Sequence, residues 1–221
     1  MRKTIAVLGL IVSCNIYAQT ADQIIKKNIE NSGGLTQWKL LNSILLQGKV
    51  VLGVDEEYPI KIYQQRPNLT KTVIAVKGKE SVIEGYDGKK GYAMNYAANK
   101  LQEYASYVPE SFDTDFIDYE AKGFVANYLG KEKLGDAEVF KVELVKNVNR
   151  KMYYFDVANY MLLKESSPEE TTTYSDFRKV GNLTMPFKLI TSTPKKEGDY
   201  VLLLNRIEVN KAFPANTFKF K

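Results

Sequence analysis

The chain has 221 residues, 44% of them hydrophobic, with no histidine and one cysteine. Without histidine it has neither the usual general base near neutral pH nor the commonest metal ligand, so Ser–His and Cys–His nucleophilic sites and Cys/His zinc sites are excluded, and one cysteine allows no internal disulfide. The formal charge of +5 is spread among interspersed lysines and acids with no basic block, so no nucleic-acid partner is expected.

Arg2 and Lys3 precede the apolar run Ile5 to Val12, and a polar stretch then leads to Ala18. That order is the secretory pattern, and the run is too short to span a bilayer. Residues 1–18 therefore read as a signal peptide and 19–221 as a single domain, exported to the periplasm. Two processing routes stay open. Ala18 suits the residue before cleavage, although Ile16 is larger than the usual residue two places earlier. Ile11-Val12-Ser13-Cys14 forms a loose lipobox, in which Cys14 is the lipidation site and the protein becomes anchored at the outer membrane. No other stretch reaches the roughly 18 apolar residues of a membrane helix, so no transmembrane segment is expected in the mature chain.

Thr20 can cap a helix with Gln23 as its capping-box partner. Ile24, Ile25 and Ile29 mark one face, and Gly33-Gly34 stops it, giving a helix over about 20–32. A second, about 36–42, places Trp38 and Leu41 beside the first. From Ser43 the period changes to two. Leu46, Gly48, Val50, Leu52 and Val54 share a face; Tyr58, Ile60 and Ile62 alternate with Lys61; Thr72, Ile74 and Val76 alternate with Lys71 and Lys77. Turn residues separate these runs, giving an antiparallel meander of about five strands. Tyr92, Met94 and Tyr96 follow on one strand face.

Phe112, Phe116 and Tyr119 then fall at helical spacing with Ile117 beside them, predicting an amphipathic helix over 109–121 entered through Pro109. Strands resume through Phe140, Tyr154, Leu162, Phe177, Phe187 and Val209. No Gly/Ser-rich or Pro-rich linker divides the chain. The fold class is mainly β (α+β), a large curved antiparallel sheet with short helices against it. A sheet of about ten strands must curl, and three short helices cover only part of its apolar face. That shortfall points to a ligand cavity. Its candidate lining is Leu46, Val50, Leu52, Ile60, Ile62, Ile74, Tyr92 and Met94 from strands, with Phe112, Phe116, Ile117 and Tyr119 from the covering helix. Aromatic strand faces ordinarily build core; the alternative is an adaptable lining for acyl chains.

Carboxylates could still support glycosidase-type chemistry, which needs only a pair. Asp113, Asp115 and Asp118 read instead as a solvated helix face and Glu169-Glu170 as a solvated turn. The acidic run lacks the spacing and internal glycine of a calcium loop. No metal site, cofactor or enzymatic activity is expected.

Gln65-Arg66-Pro67-Asn68-Leu69 links two strands, and Tyr86-Asp87-Gly88-Lys89 and the strand Tyr92 to Tyr96 follow. With Ala21 to Ile25, Gly33 to Trp38 and Tyr174 to Phe187, this ordered set resembles the LolA-like outer-membrane lipoprotein-sorting proteins of the Bacteroidetes type. The likeness covers nearly all of 19–221. It implies an unclosed antiparallel β-barrel with helices as lid or plug, holding a lipid or lipoprotein acyl chains, with envelope lipoprotein-transport machinery as further partners. Sheltering a 16-carbon chain is worth on the order of 10 kcal/mol at about 0.8 kcal/mol per CH₂. The resemblance also implies that Arg66 latches the lid by bonding helix carbonyls, against the plain reading of an exposed turn arginine. Thr70 departs from the family, which places an aromatic there. A carrier and a lipid-anchored scaffold module with a packed interior are the competing functions.

Overall fold

Thr20 and Gln23 exchange hydrogen bonds, the Thr20 hydroxyl accepting from the Gln23 amide at 3.2 Å and the Gln23 side chain from the Thr20 amide at 3.1 Å. They start helix α1, Ala21–Asn31, whose Ile24 and Ile25 are buried. These positions belong to a computed structural model that describes residues 19–53, 56–107, 111–194 and 198–220. The processing sites at Cys14 and Ala18, and the entry at Pro109, lie outside the described residues. Helix α1 ends at Gly33, whose φ of 133° suits glycine and whose absent Cβ would stand 2.6 Å from the Asn182 carbonyl. Ser32 accepts from the Thr184 amide at 2.8 Å, fixing the end of α1 to a strand. Helix α2 is Leu35–Leu40.

Thirteen strands follow: β1 (Ser43–Leu52), β2 (Glu56–Gln65), β3 (Leu69–Val76), β4 (Lys79–Tyr86), β5 (Gly91–Asn95), β6 (Lys100–Glu103), β7 (Val125–Leu134), β8 (Ala137–Lys146), β9 (Asn149–Asp156), β10 (Leu162–Ser166), β11 (Thr171–Val180), β12 (Leu183–Ser192) and β13 (Tyr200–Val209). They make one sheet in the order β6-β5-β4-β3-β2-β1-β13-β12-β11-β10-β9-β8-β7, antiparallel throughout. The first six strands meander one way, the last seven meander back, and β13 pairs with β1. The sheet is not closed. Its edges are β6 and β7, and residues 104–124 join those edges. The expected unclosed, antiparallel, mainly β architecture is what the chain adopts.

The expected helix over 109–121 does not form. Residues 115–123 are successive turns, and Asp118 has a φ of 52°, which a helix cannot accommodate. The turns bury Phe116 and Ile117 and leave Asp118 exposed.

One sheet face carries the interior. On it Leu46, Val50, Ile60, Ile62 and Ile74 meet Phe187, Leu202 and Leu204. Strand β12 pairs with β13 only through Lys188 to Thr191, so its first half leaves that neighbour. One side of this projecting part, Leu183 and Met185, packs on Leu41 and Ile44. A second cluster, Phe116 with Ile24, Ile25, Phe140, Leu144, Tyr153 and Phe155, lies under α1. The β11–β12 hairpin thus separates two apolar compartments.

The opposite face of β2 to β5 is covered by the C-terminal segment. Phe213 packs edge-on to Tyr63 with centroids 5.5 Å apart, and Phe220 lies 4.7 Å from Tyr92.

Candidate functional site

A cavity of about 480 Å³ lies in the second compartment. Its apolar wall comes from Ile29 of α1, Trp38 of α2, Phe116 and Ile117 of the crossover, Leu162 of β10, and Phe177 and Pro186 of the hairpin. Trp38 is oriented by its indole nitrogen, which donates to the Ser32 hydroxyl at 2.9 Å. Alternation along β9, β10 and β11 brings Lys151, Tyr153, Glu165 and Tyr174 to the same wall, with Asp115 above them. The Tyr153 hydroxyl donates to Asp115 at 2.6 Å, and Lys151 stands 3.4 Å from the same oxygen. Burial, with Asp115 adjacent, raises the Tyr153 phenol far above its ordinary range, so it is a fixed neutral donor. Burial likewise raises Glu165, partly countered by Lys151 and by the hydrogen bond from Tyr174. Tyr174 is raised by burial and then by the Glu165 charge. The cavity is therefore apolar around its walls and polar on its floor.

A second constellation closes one rim. Arg66, at the end of β2, donates through Nε to the Leu41 carbonyl at 2.6 Å and through Nη2 to the Trp38 carbonyl at 3.1 Å. These are carbonyls at the C-terminal end of α2, where a helix leaves acceptors unpaired. Both terminal nitrogens also reach Asp113, at 2.6 and 2.5 Å, and the guanidinium lies 4.8 Å over the Phe112 ring. One planar five-donor group thus ties a strand end to α2 and the crossover, which a lysine could not do.

The candidate lining residues separate accordingly. Phe116 and Ile117 line the cavity. Phe112 lies beneath Arg66 and beside the Leu41 cluster, and Tyr119 packs against the α1 cluster. Leu46, Val50, Ile60, Ile62 and Ile74 share one face and form an apolar cluster with Phe187, Leu202 and Leu204, away from the cavity; Leu46, Ile62 and Ile74 are only half-buried there. Leu52 is 37% exposed at its strand end. Tyr92 and Met94 face the other way: Tyr92 pairs with Gly85, and Gly85 with Lys71, on the side opposite Ile74. There Tyr92 meets Phe220.

The acids correct a second expectation. They lie on turns, not a helix: Asp113 is held by Arg66 and Asp115 by Tyr153 and Lys151, whereas Asp118 stays exposed, paired with Lys39 at 2.8 Å. Lys151, Tyr153, Glu165 and Tyr174 were not picked out as a group from the sequence. Their neighbours include the polar Lys164, Thr173 and Ser175, so no local pattern marks them out. Among the described residues no cluster of acids suits a metal ion, and no helix is long and apolar enough to cross a membrane.

No family model and no curated protein matches the sequence. Solved structures match its fold. A domain from Vibrio parahaemolyticus assigned to outer-membrane lipoprotein sorting aligns over 90% of this chain and 96% of its own, at 12% identity and a TM-score of 0.59. A LolA superfamily protein from Nitrosomonas europaea aligns over 92% and 99%, at 13% identity and a TM-score of 0.57. A DUF1329 family protein from Desulfovibrio piger aligns over 88% and 97%, at 9% identity and a TM-score of 0.58. The chain therefore shares the fold of these proteins, an unclosed antiparallel sheet with short helices packed against it.

Proposed function

We propose that the chain is a non-catalytic binding or carrier protein of the bacterial envelope, sheltering a lipid or the acyl part of a lipoprotein, as outer-membrane lipoprotein sorting requires. The observation that carries this reading is the cavity of about 480 Å³ under α1, α2 and the crossover. Its size lies within the ~300–1,000 Å³ of small-ligand pockets, which suits a single chain. Its walls offer Ile29, Trp38, Phe116 and Leu162, and each methylene moved there from water is worth about 0.8 kcal/mol. Arg66 is the latch that holds the empty state closed, because opening α2 away from the sheet breaks its bonds to Trp38 and Leu41. The segment 1–18 directs export, and transport machinery at the two membranes would load and unload the cargo.

One observation favours the other reading, a lipid-anchored scaffold module. In the first compartment Val50 and Ile60 are buried against Phe187, Leu202 and Leu204. The two readings part on ligand. Protein purified from its native host is weighed intact by native mass spectrometry, then melted with and without lysophospholipid. A bound lipid mass, or a rise in melting temperature with added lysophospholipid, supports the carrier. A clean apo mass with no thermal response sinks it and leaves the scaffold. The same spectrum reports whether processing occurs after Ala18 or at Cys14.

A further inference from the structure

Sheltering acyl chains asks only for apolar walls, yet this cavity places four carboxylates and one lysine among its described lining residues: Asp113, Asp115, Glu165, Glu170 and Lys151. Asp113 is held by Arg66, and Lys151 lies 3.4 Å from Asp115, so the one cation among the described lining residues already faces an acid. The formal charge around the cavity is negative. Glu165 is half-buried on the floor. It accepts from the Tyr174 hydroxyl, and a carboxylate has about four acceptor positions, so it can take further donors. Burial holds it above the ordinary carboxylate range, which means that its charged form lacks the solvation it would have in water. Asp115 is already engaged by the fixed phenol of Tyr153 at 2.6 Å. The acids of the floor are therefore acceptors, and the two phenols beside them, Tyr153 and Tyr174, already donate to them.

Building on the acyl-shelter reading, we propose that this floor selects cargo by its polar end. The cavity takes a single-chain amphiphile ending in an uncharged or cationic hydrogen-bond donor (a hydroxyl, amide or amine) set against Glu165 and Tyr174, and turns away chains ending in an anion. Two effects act together. A donor adds to the Tyr174 bond on Glu165, because a carboxylate can accept more than one. An anion would enter a half-buried space beside Asp115 and Glu165, where like charges repel more strongly than in bulk water. The apolar wall of Ile29, Trp38, Phe116 and Leu162 holds the chain whatever its head, so head and tail are recognised by separate residues.

The test uses three probes of one chain length: monomyristoylglycerol, myristylamine and myristyl sulfate. The sulfate stays charged where a fatty acid could take up a proton. Each is titrated below its micellar concentration into the chain lacking residues 1–18, with tryptophan fluorescence from Trp38 and native mass spectrometry as readouts. The glycerol ester and the amine are expected to bind at least about tenfold tighter than the sulfate. Glu165→Gln should narrow that gap from both sides, weakening the amine and admitting the sulfate. Equal binding of all three, or tighter binding of the sulfate, overturns head selection and leaves the acyl-shelter reading standing. Binding of none overturns both. Should Glu165→Gln fail to fold by circular dichroism, the three-probe comparison on the wild-type protein decides alone.

Discussion

Replacing Arg66 by leucine should lower the stability of the empty protein and raise its affinity for lipid. The side chain makes two bonds to α2 carbonyls and two to Asp113. Fully buried charge-assisted bonds are each worth about 1.5–3 kcal/mol. Here the Arg66 and Asp113 side chains keep 26% and 24% of their exposure, so water screens the pair and takes over part of its bonding. The lower end applies and the bonds are not additive, giving a loss of about 2 kcal/mol. For a domain of this size that is about 4–8 °C in melting temperature. If the same bonds hold α2 closed, ligand entry must break them, and removing them strengthens apparent affinity by about 30-fold. Thermal denaturation of the empty protein reads the first effect, and titration with a fluorescent lysophospholipid reads the second. Arg66→Lys, with a single compact ammonium, should recover less than half of the lost stability. A variant that melts lower and binds lipid no better than wild type would refute the latch and leave Arg66 a structural residue.

Three further outcomes follow from named contacts. Glu165 has a folded pKa raised above 4.5, with burial as the leading cause, so the native state holds that proton more tightly than the unfolded chain. Its contribution is full below the unfolded pKa and is lost as pH rises toward the folded value; Glu165→Gln should therefore gain melting temperature over wild type progressively above about pH 4.5, and a constant or shrinking gap contradicts this. At Gly85 an added Cβ would stand 2.1 Å from the Phe220 ring and 2.8 Å from the Thr70 carbonyl, so Gly85→Ala should cost about 1–3 kcal/mol and make the C-terminal segment cleavable in limited proteolysis. Wild-type stability and protection in that variant would show that Phe220 does not sit on β4. Thr20→Ala removes the capping-box acceptor of α1 and should cost about 1 kcal/mol in urea unfolding; no change would mean that α1 is held by Ile24 and Ile25 alone.

What the sequence makes legible is what is local. Thr20 and Gln23 are three residues apart, and their capping box forms as read. The alternation of Ile60 and Ile62 reports a strand with one buried side because that period belongs to the strand itself. Alternation does not say which side is inner. Tyr92 and Met94 do share a face, but it is the outer one, because a bulge in β4 between Val82 and Glu84 sets the phase of the next strand. Nor can periodicity show what fills a face. The cover over β2 to β5 is a segment without regular structure, whose Phe213, Phe218 and Phe220 follow no helical or strand period. The acids of the crossover were misread for the same reason. Asp113 finds Arg66 from 47 residues away and Asp115 finds Tyr153 from 38 away, and with those partners hidden three acids resemble a wet helix face.

The crossover explains why a cover for an apolar cavity carries charge. Phe116 and Ile117 are buried within it, and their burial supplies the drive to close. Apolar attraction is not directional, so a cover held by it alone would close at several registers. Charge-assisted bonds are directional, and two of them lie two residues apart. Asp113 reaches outward to Arg66 at the rim, and Asp115 reaches inward to Tyr153 and Lys151 on the floor. Fully extended, two residues span only about 7 Å, so the rim and the floor are tied together by a short link. A group that displaces Asp115 from Tyr153 moves the backbone that holds Asp113 on Arg66. On the proposed carrier reading, cargo in the cavity and Arg66 on α2 would therefore act on the same segment, with the acids rather than the aromatics coupling them.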